Sequence, residues 1–300
     1  MLKTNRDFLP IQSVQGKVHH PTLKTTYRLG RDGASKVLAA TGGITYNAKI
    51  GDNCMKWVSD HLEPGVSLRN ENKEENDAIQ TFACIGNTAI VVTGGAKGAK
   101  GYVTGKHGGI EHCMIYFPDE AIQKMAVEDT VLIRACGAGL RVDGFPEVFC
   151  NNLDPELFEK LGVTEKGGVL EVPVAFEIPA VLMGSGIGSR TSHTGDYDIT
   201  TGDKEAYEKL NLKEMRFGDI VLLQDCDNTY GREYVKGAVS IGVVIHGDST
   251  IMGHGPGITT IMTCKAGKIR GKISKDANIA NYLLKNEKKP KRSPGSTAKK

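Results

Sequence analysis

Arg216-Phe-Gly-Asp-Ile220-Val-Leu-Leu-Gln-Asp225-Cys-Asp227-Asn-Thr-Tyr-Gly-Arg232-Glu-Tyr-Val-Lys-Gly-Ala238-Val-Ser-Ile-Gly-Val-Val-Ile245-His246 is the stretch that decides the architecture. Its two apolar runs, 220–223 and 238–245, are rich in β-branched residues, bounded by Gly, Asp and Asn, and too short for buried helices, so both read as strands. Comparable runs recur over 88–92, 130–135 and 169–176. Helical patterns are short: 74–84, 118–125 with proline ahead of an acidic turn, 154–161 closed by Gly162, 203–210 and 276–285. Strands outnumber helices and the two do not alternate as in doubly wound folds, so the expected class is mainly β: a β-barrel or sandwich-like body with several short peripheral helices and small subdomains.

The chain has 300 residues, 39% hydrophobic and 24% charged, a balance that excludes disordered, collagenous and membrane classes. Its 37 glycines against 11 prolines, clustered in short motifs, imply many tight turns. Residues 285–300 hold seven of the 38 basic residues and one of the 35 acids, so the +3 total hides a body at −3. That body offers no electrostatic case for nucleic acid. The expected organisation is an N-terminal β-rich half over 1–150, a C-terminal β-rich half over 151–285 and a disordered basic tail over 286–300. Met125-Ala-Val-Glu-Asp129-Thr-Val131-Leu132 echoes Met215-Arg-Phe-Gly-Asp219-Ile-Val221-Leu222, each reading as a turn that feeds a buried strand. The seven cysteines form no CxxC and sit mostly inside apolar runs, which reads as reduced thiols in a cytoplasmic protein.

Two glycine loops fail as phosphate motifs. Gly101-Tyr-Val-Thr-Gly105-Lys106-His107 is one residue short and lacks the Mg²⁺-binding hydroxyl, and in Gly184-Ser-Gly186-Ile-Gly188-Ser189 the third glycine falls one place early. The second loop remains a candidate anion nest beside Arg190, or a plain turn. Chemistry concentrates instead in four glycine-embedded polar clusters around Asp60-His61-Leu-Glu63, Lys106-His107-Gly-Gly-Ile-Glu111-His112, Asp225-Cys-Asp227 through Arg232, and His246-Gly-Asp248 through His254, which hold five of the eight histidines. Asp225 and Asp227, and likewise His246 and Asp248, are spaced two apart at strand ends. Each pair would share a face, and the four would converge if the strands pair. Such a mixed N/O set suits a divalent Zn, Mn or Fe ion. The alternative makes Asp225, Asp227 and Asp248 turn residues bonding their own backbone, and His246 a hydrogen-bonded strand-end histidine.

Thr41-Gly-Gly-Ile-Thr-Tyr-Asn47, Asp60-His61-Leu-Glu63-Pro-Gly65, Ala96-Lys-Gly-Ala-Lys-Gly101 running into Thr104-Gly-Lys-His-Gly-Gly-Ile-Glu-His112, and Arg216-Phe-Gly-Asp-Ile-Val221 running to Gly253-His-Gly-Pro-Gly257 together resemble a prokaryotic domain-of-unknown-function family, number 4438, over about residues 20–285. Leu38-Ala-Ala-Thr41 departs from the Pro-Gly expected before the Thr-Gly-Gly motif. The resemblance implies a mainly β fold with small extra subdomains, and no catalytic role. A looser likeness to acetamidase/formamidase enzymes rests on Gly218-Asp219-Ile-Val221 and a later Gly/His/Asp-rich stretch.

The first functional expectation is a metal-assisted hydrolase of a small amide or other polar small molecule. Asp225, Asp227, His246 and Asp248 would hold the metal. His107, Glu111, His112 and His254 would do the acid-base work, and Asp60, His61, Glu63, Lys106 and Arg232 would bind ligand. The other expectation is a non-catalytic protein that binds a small molecule or assembles with itself. The partners to expect are a small-molecule ligand and, as an open option, a second copy of the chain, with neither membrane nor nucleic acid.

Overall fold

Six strands of the first half close on themselves. In the computed structural model, which describes residues 2–23, 25–37 and 39–285, Gln12–Val18, Thr130–Ala135, Thr88–Val91, Lys100–His107, His112–Tyr116 and Gly65–Arg69 pair antiparallel in that order. Gly65–Arg69 then pairs back onto Gln12–Val18, with Val18 opposite Leu68, so the sheet is a closed barrel without free edges there. Val18, Leu68, Val91, Val103, Ile115 and Ile133 fill its interior, joined by Ile79 from the helix Lys73–Phe82. The expected tail, 286–300, lies outside the described residues.

The second sheet runs in the order Phe149–Cys150, Gly257–Cys264, Glu233–Val244, Ile220–Asp227, Phe176–Ile178, with Tyr197–Asp198 paired to the start of Gly257–Cys264. Side chains of a strand alternate between faces, and that alternation sorts the molecule into layers. Met114 and Tyr116 leave the barrel's outer face to pack with Ile220, Leu222, Ile241, Val243 and Ile245. Val221, Leu223 and Val244 face the other way, toward Phe217, Tyr197 and Ile258. Both faces of 220–223 are therefore apolar, which is why it reads as an unbroken apolar run, whereas Ser240 and Gly242 interrupt 238–245.

All five expected helical segments contain helices: Lys73–Phe82, Asp119–Ile122, Pro155–Lys160, Lys204–Lys209 and Ile279–Leu283. Four begin at an Asn or Asp whose side chain accepts a backbone N–H of the first turn. The expected strand over 169–176 divides, because Leu170–Val174 pairs in a small separate sheet with Ile269–Ile273 while Phe176–Ile178 joins the main one. The echoed segments form the same turn. Asp129 and Asp219 each accept the N–H three residues earlier at 2.8 Å, with φ of 71° at Glu128 and 85° at Gly218. Among the described residues, no helix is long and apolar enough to cross a membrane.

All seven cysteines are free, six of them buried, and burial pushes Cys84, Cys113 and Cys150 up to about 12. Alkylation without reductant should therefore give seven adducts after denaturation, yet label chiefly the half-buried Cys136 in the native protein. Mass spectrometry showing a stoichiometric disulfide would contradict this.

Candidate metal centre

The barrel and the second sheet meet with backbone almost touching backbone. Lys106 donates its N–H to Thr259 Oγ1 at 3.2 Å, and the same hydroxyl donates to Lys106 O at 3.0 Å. Gly105 permits the approach, since a Cβ there would lie 2.2 Å from Ile245 Cγ2. His107 ends its barrel strand at this seam, and His61 and Glu63 stand just ahead of Gly65–Arg69. From the other side come Asp196 and Asp198 around the strand Tyr197–Asp198, His246 just past Glu233–Val244, and His254 in the loop before Gly257–Cys264. His61 adopts φ of 52° and is pinned across the seam, donating its N–H to Asp248 O at 3.1 Å.

Three imidazoles are oriented alike. His107 Nδ1 lies 2.5 Å from Glu63 Oε1, His246 Nδ1 lies 2.8 Å from Gly247 O, and His61 Nδ1 bonds Asp60 Oδ1. Carboxylate and carbonyl oxygens only accept, so each Nδ1 must donate and each Nε2 lone pair is turned inward. His61, His107 and His246 offer ligand atoms within 4.8 Å of one another, as do His61, Asp198 and His254, and Asp196, Asp198 and His246. The rings pack closely, with centroids 4.3 Å apart for His107 and His246 and 4.9 Å apart for His61 and His246. Gly257 leaves the room, because a Cβ on it would sit 2.0 Å from Asp196 Oδ2 and 2.2 Å from His246 Nε2.

His246 Nε2 faces Asp196 Oδ2 at 3.0 Å and Asp198 Oδ1 at 3.2 Å, while His254 Nδ1 lies 2.8 Å from Asp198 Oδ2. A lone pair facing two carboxylates is repulsive unless a proton or cation lies between them. Burial disfavours charge on His246, but Asp196 and Asp198 outweigh it and raise its pKa well above the ordinary imidazole range. Burial likewise works against ionised Asp198, yet His246, His254 and His61 hold it well below the usual carboxylate range. Asp196 Oδ2, Asp198 Oδ2 and His246 Nε2 are buried with one another and with the neighbouring histidines as their close polar contacts, and none of the three atoms makes a hydrogen bond of good geometry. Paired, inward-facing acceptors of this kind fit a divalent cation, and the mixed imidazole-carboxylate set suits Zn²⁺, Mn²⁺ or Fe²⁺.

The sequence-derived residues separate into those the fold gathers and those it does not. His61, His107, His246 and His254 meet, with Asp60 and Glu63 behind the first two. His112 is one layer back, with Nδ1 2.9 Å from Glu63 Oε2 and Nε2 3.0 Å from His19 Nδ1. Glu111 is exposed at the hairpin turn and lines the cavity over the cluster, as does Arg232. Lys106, adjacent to His107 on the strand, points to the opposite face, where its ammonium donates to Asn152 Oδ1 at 2.7 Å and His193 O at 2.9 Å.

The expected convergence of Asp225 and Asp227 with His246 does not occur. Their strands do pair, but antiparallel, with Asp227 opposite Glu233 and Ile220 opposite Val243. The C-terminal end of one strand thus adjoins the start of the next, leaving roughly 20 Å of ladder between the aspartates and His246. A bulge at Asp225, φ 52°, also breaks the same-face relation. Asp225 accepts from Gly237 N, Asp227 pairs with Lys265 at 3.0 Å, and Asp248 accepts from Thr201 Oγ1 at 2.7 Å. Asp196, Asp198 and His19 escaped the sequence reading. Thr194-Gly-Asp196-Tyr-Asp198 nonetheless has the glycine-embedded polar pattern that flagged the other clusters.

Family models described as "Domain of unknown function (DUF4438), N-terminal" and its C-terminal counterpart match residues 27–159 and 160–283. No curated protein matches. The chain is similar to a solved structure titled "Crystal structure of TM1086", at 46% identity and a TM-score of 0.90, covering 94% of this chain and 99% of that one.

Gly257→Ala should push Asp196 and His246 apart. The expected result is a folded protein destabilised by about 1–3 kcal/mol, with Zn²⁺ affinity lowered at least tenfold by isothermal titration. Unchanged Zn²⁺ affinity would contradict the geometry.

Proposed function

We propose that this chain, which belongs to the DUF4438 family, is a metal-assisted hydrolase of a small amide or similar polar molecule. The observation that supports the reading most is the trio His61, His107 and His246, whose Nδ1 hydrogens are engaged by Asp60, Glu63 and Gly247, leaving the Nε2 atoms free to share one ion, with those of His61 and His246 facing the buried carboxylates. A bound divalent ion would lower the pKa of water toward neutrality and polarise a carbonyl. His61, His107 and His246 would hold the ion, with Asp196 and Asp198 supplying negative donors. His254, whose side chain is 27% exposed against 0% for His246, stands at the mouth of the site and would move a proton between Asp198 and solvent. The adjoining cavity of about 480 Å³ suits a small molecule.

Protein purified without a histidine tag should carry about one equivalent of Zn, Mn or Fe by elemental mass spectrometry. His107→Ala and His246→Ala should each lose it, and the wild type should hydrolyse simple amides in a manner abolished by chelator and restored by metal. Substoichiometric metal, or metal retained by both variants, would refute the assignment of the site. Stoichiometric metal without turnover of any amide or ester would leave a metal protein that binds its small molecule without hydrolysing it.

A further inference from the structure

Two buried polar side chains in the cavity above the metal cluster are not used by the cluster. Arg232 is 4% exposed, and its Nη2 donates to Thr194 O at 2.9 Å. Its Nε has no partner, and among the described residues no carboxylate pairs with the guanidinium. Gln80, from the helix Lys73–Phe82 on the barrel side, is 2% exposed with both amide atoms unpartnered. Both residues line the cavity together with His61, His107, Asp196 and Asp198.

The glycine loop that fails as a dinucleotide motif positions the arginine. Gly188 N–H donates to Arg232 O at 2.8 Å, and Arg232 N–H donates to Ser189 O at 2.9 Å. The loop in turn lies against the segment carrying the carboxylates, since a Cβ on Gly186 would sit 2.8 Å from Tyr197 Cβ, the residue between Asp196 and Asp198. Arg232 is thereby fixed on the same wall as the metal cluster, close enough that Asp196 acts on its charge.

A guanidinium taken out of water without a counter-charge is strongly unfavourable, and its planar fork matches an oxyanion. We infer that the molecule bound here carries a carboxylate, which Arg232 takes, while its amide or carbonyl lies toward the cluster of His61, His107 and His246 and Gln80 hydrogen-bonds its polar body. The orientation toward the cluster rests on the metal reading; carboxylate capture by Arg232 does not. The charge balance favours a carboxylate over a phosphate. One guanidinium offsets one negative charge, the wall already carries Asp196 and Asp198, and a phosphate ester would bring close to two.

The test uses succinamate, which has one carboxylate and one amide, with neutral succinamide and inorganic phosphate as comparisons, titrated calorimetrically into metal-loaded and chelator-treated protein. Succinamate should bind the wild type at least tenfold more tightly than succinamide, and Arg232→Met should abolish that preference. Removing a buried unpaired charge favours folding of this variant, and Arg232→Lys, which keeps the charge but loses the fork, provides a second reading with a reduced preference. Equal binding of the two compounds, binding of none, a preference that survives Arg232→Met, or tighter binding of phosphate would each overturn the inference. Arg232-dependent succinamate binding to protein that takes up no metal would uphold the inference and remove the metal reading. Metal uptake without such binding would do the reverse.

Discussion

Glu63 is a carboxylate at 1% exposure with hydrogen bonds on every side. It accepts from Gly42 N at 2.7 Å and Ser67 Oγ at 2.5 Å, and it meets the Nδ1 atoms of His107 and His112. Burial alone would protonate it, but the two histidines hold its pKa well below the usual range. That single buried charge fixes the tautomer of His107, locks His112 against His19, and ties the loop containing Gly42 to the strand Gly65–Arg69. Asp60 does the same for His61, bonded also by Ser249 Oγ at 2.8 Å and Thr250 N at 3.0 Å from the other half of the chain. Carboxylates of this kind raise the basicity of a ligating imidazole and stop it rotating.

The centre is consequently a property of the seam. His61 and His107 lie within the residues matched by the N-terminal family model, and Asp196, Asp198, His246 and His254 within those matched by the C-terminal one. Gly105, Gly195 and Gly257 let the two sides approach until their imidazoles and carboxylates could share an ion, each at a position where a methyl group would collide with the opposing segment or with the cluster. Packing of Met114 and Tyr116 against Ile241, Val243 and Ile245 supplies the apolar force that holds the sides together. The apolar core and the polar centre are thus two consequences of the same contact.

The fold was legible where local chemistry and tertiary role agree. Capped helices such as Pro155–Lys160 and doubly buried strands such as Ile220–Asp227 announce themselves by turn residues and apolar runs. Lys100–His107 does not, because Gly101 and Gly105 are demanded by close backbone approach and dilute its pattern. At the site, the glycine-embedded clusters singled out His61, His107, His246 and His254, side chains that the fold brings together. The pairing of Asp225 with His246 relied on strand adjacency without direction, and an antiparallel hairpin sends adjacent ends apart. Which strand ends coincide is set by the long-range register between barrel and sheet, which no local spacing encodes.

X-ray absorption on protein loaded with Zn²⁺ addresses the central claim most directly, because it reads the ligand types themselves. The account predicts nitrogen and oxygen donors at about 2.0–2.2 Å with the outer-shell scattering of three imidazoles. A spectrum dominated by sulfur, or one without imidazole scattering, would contradict it.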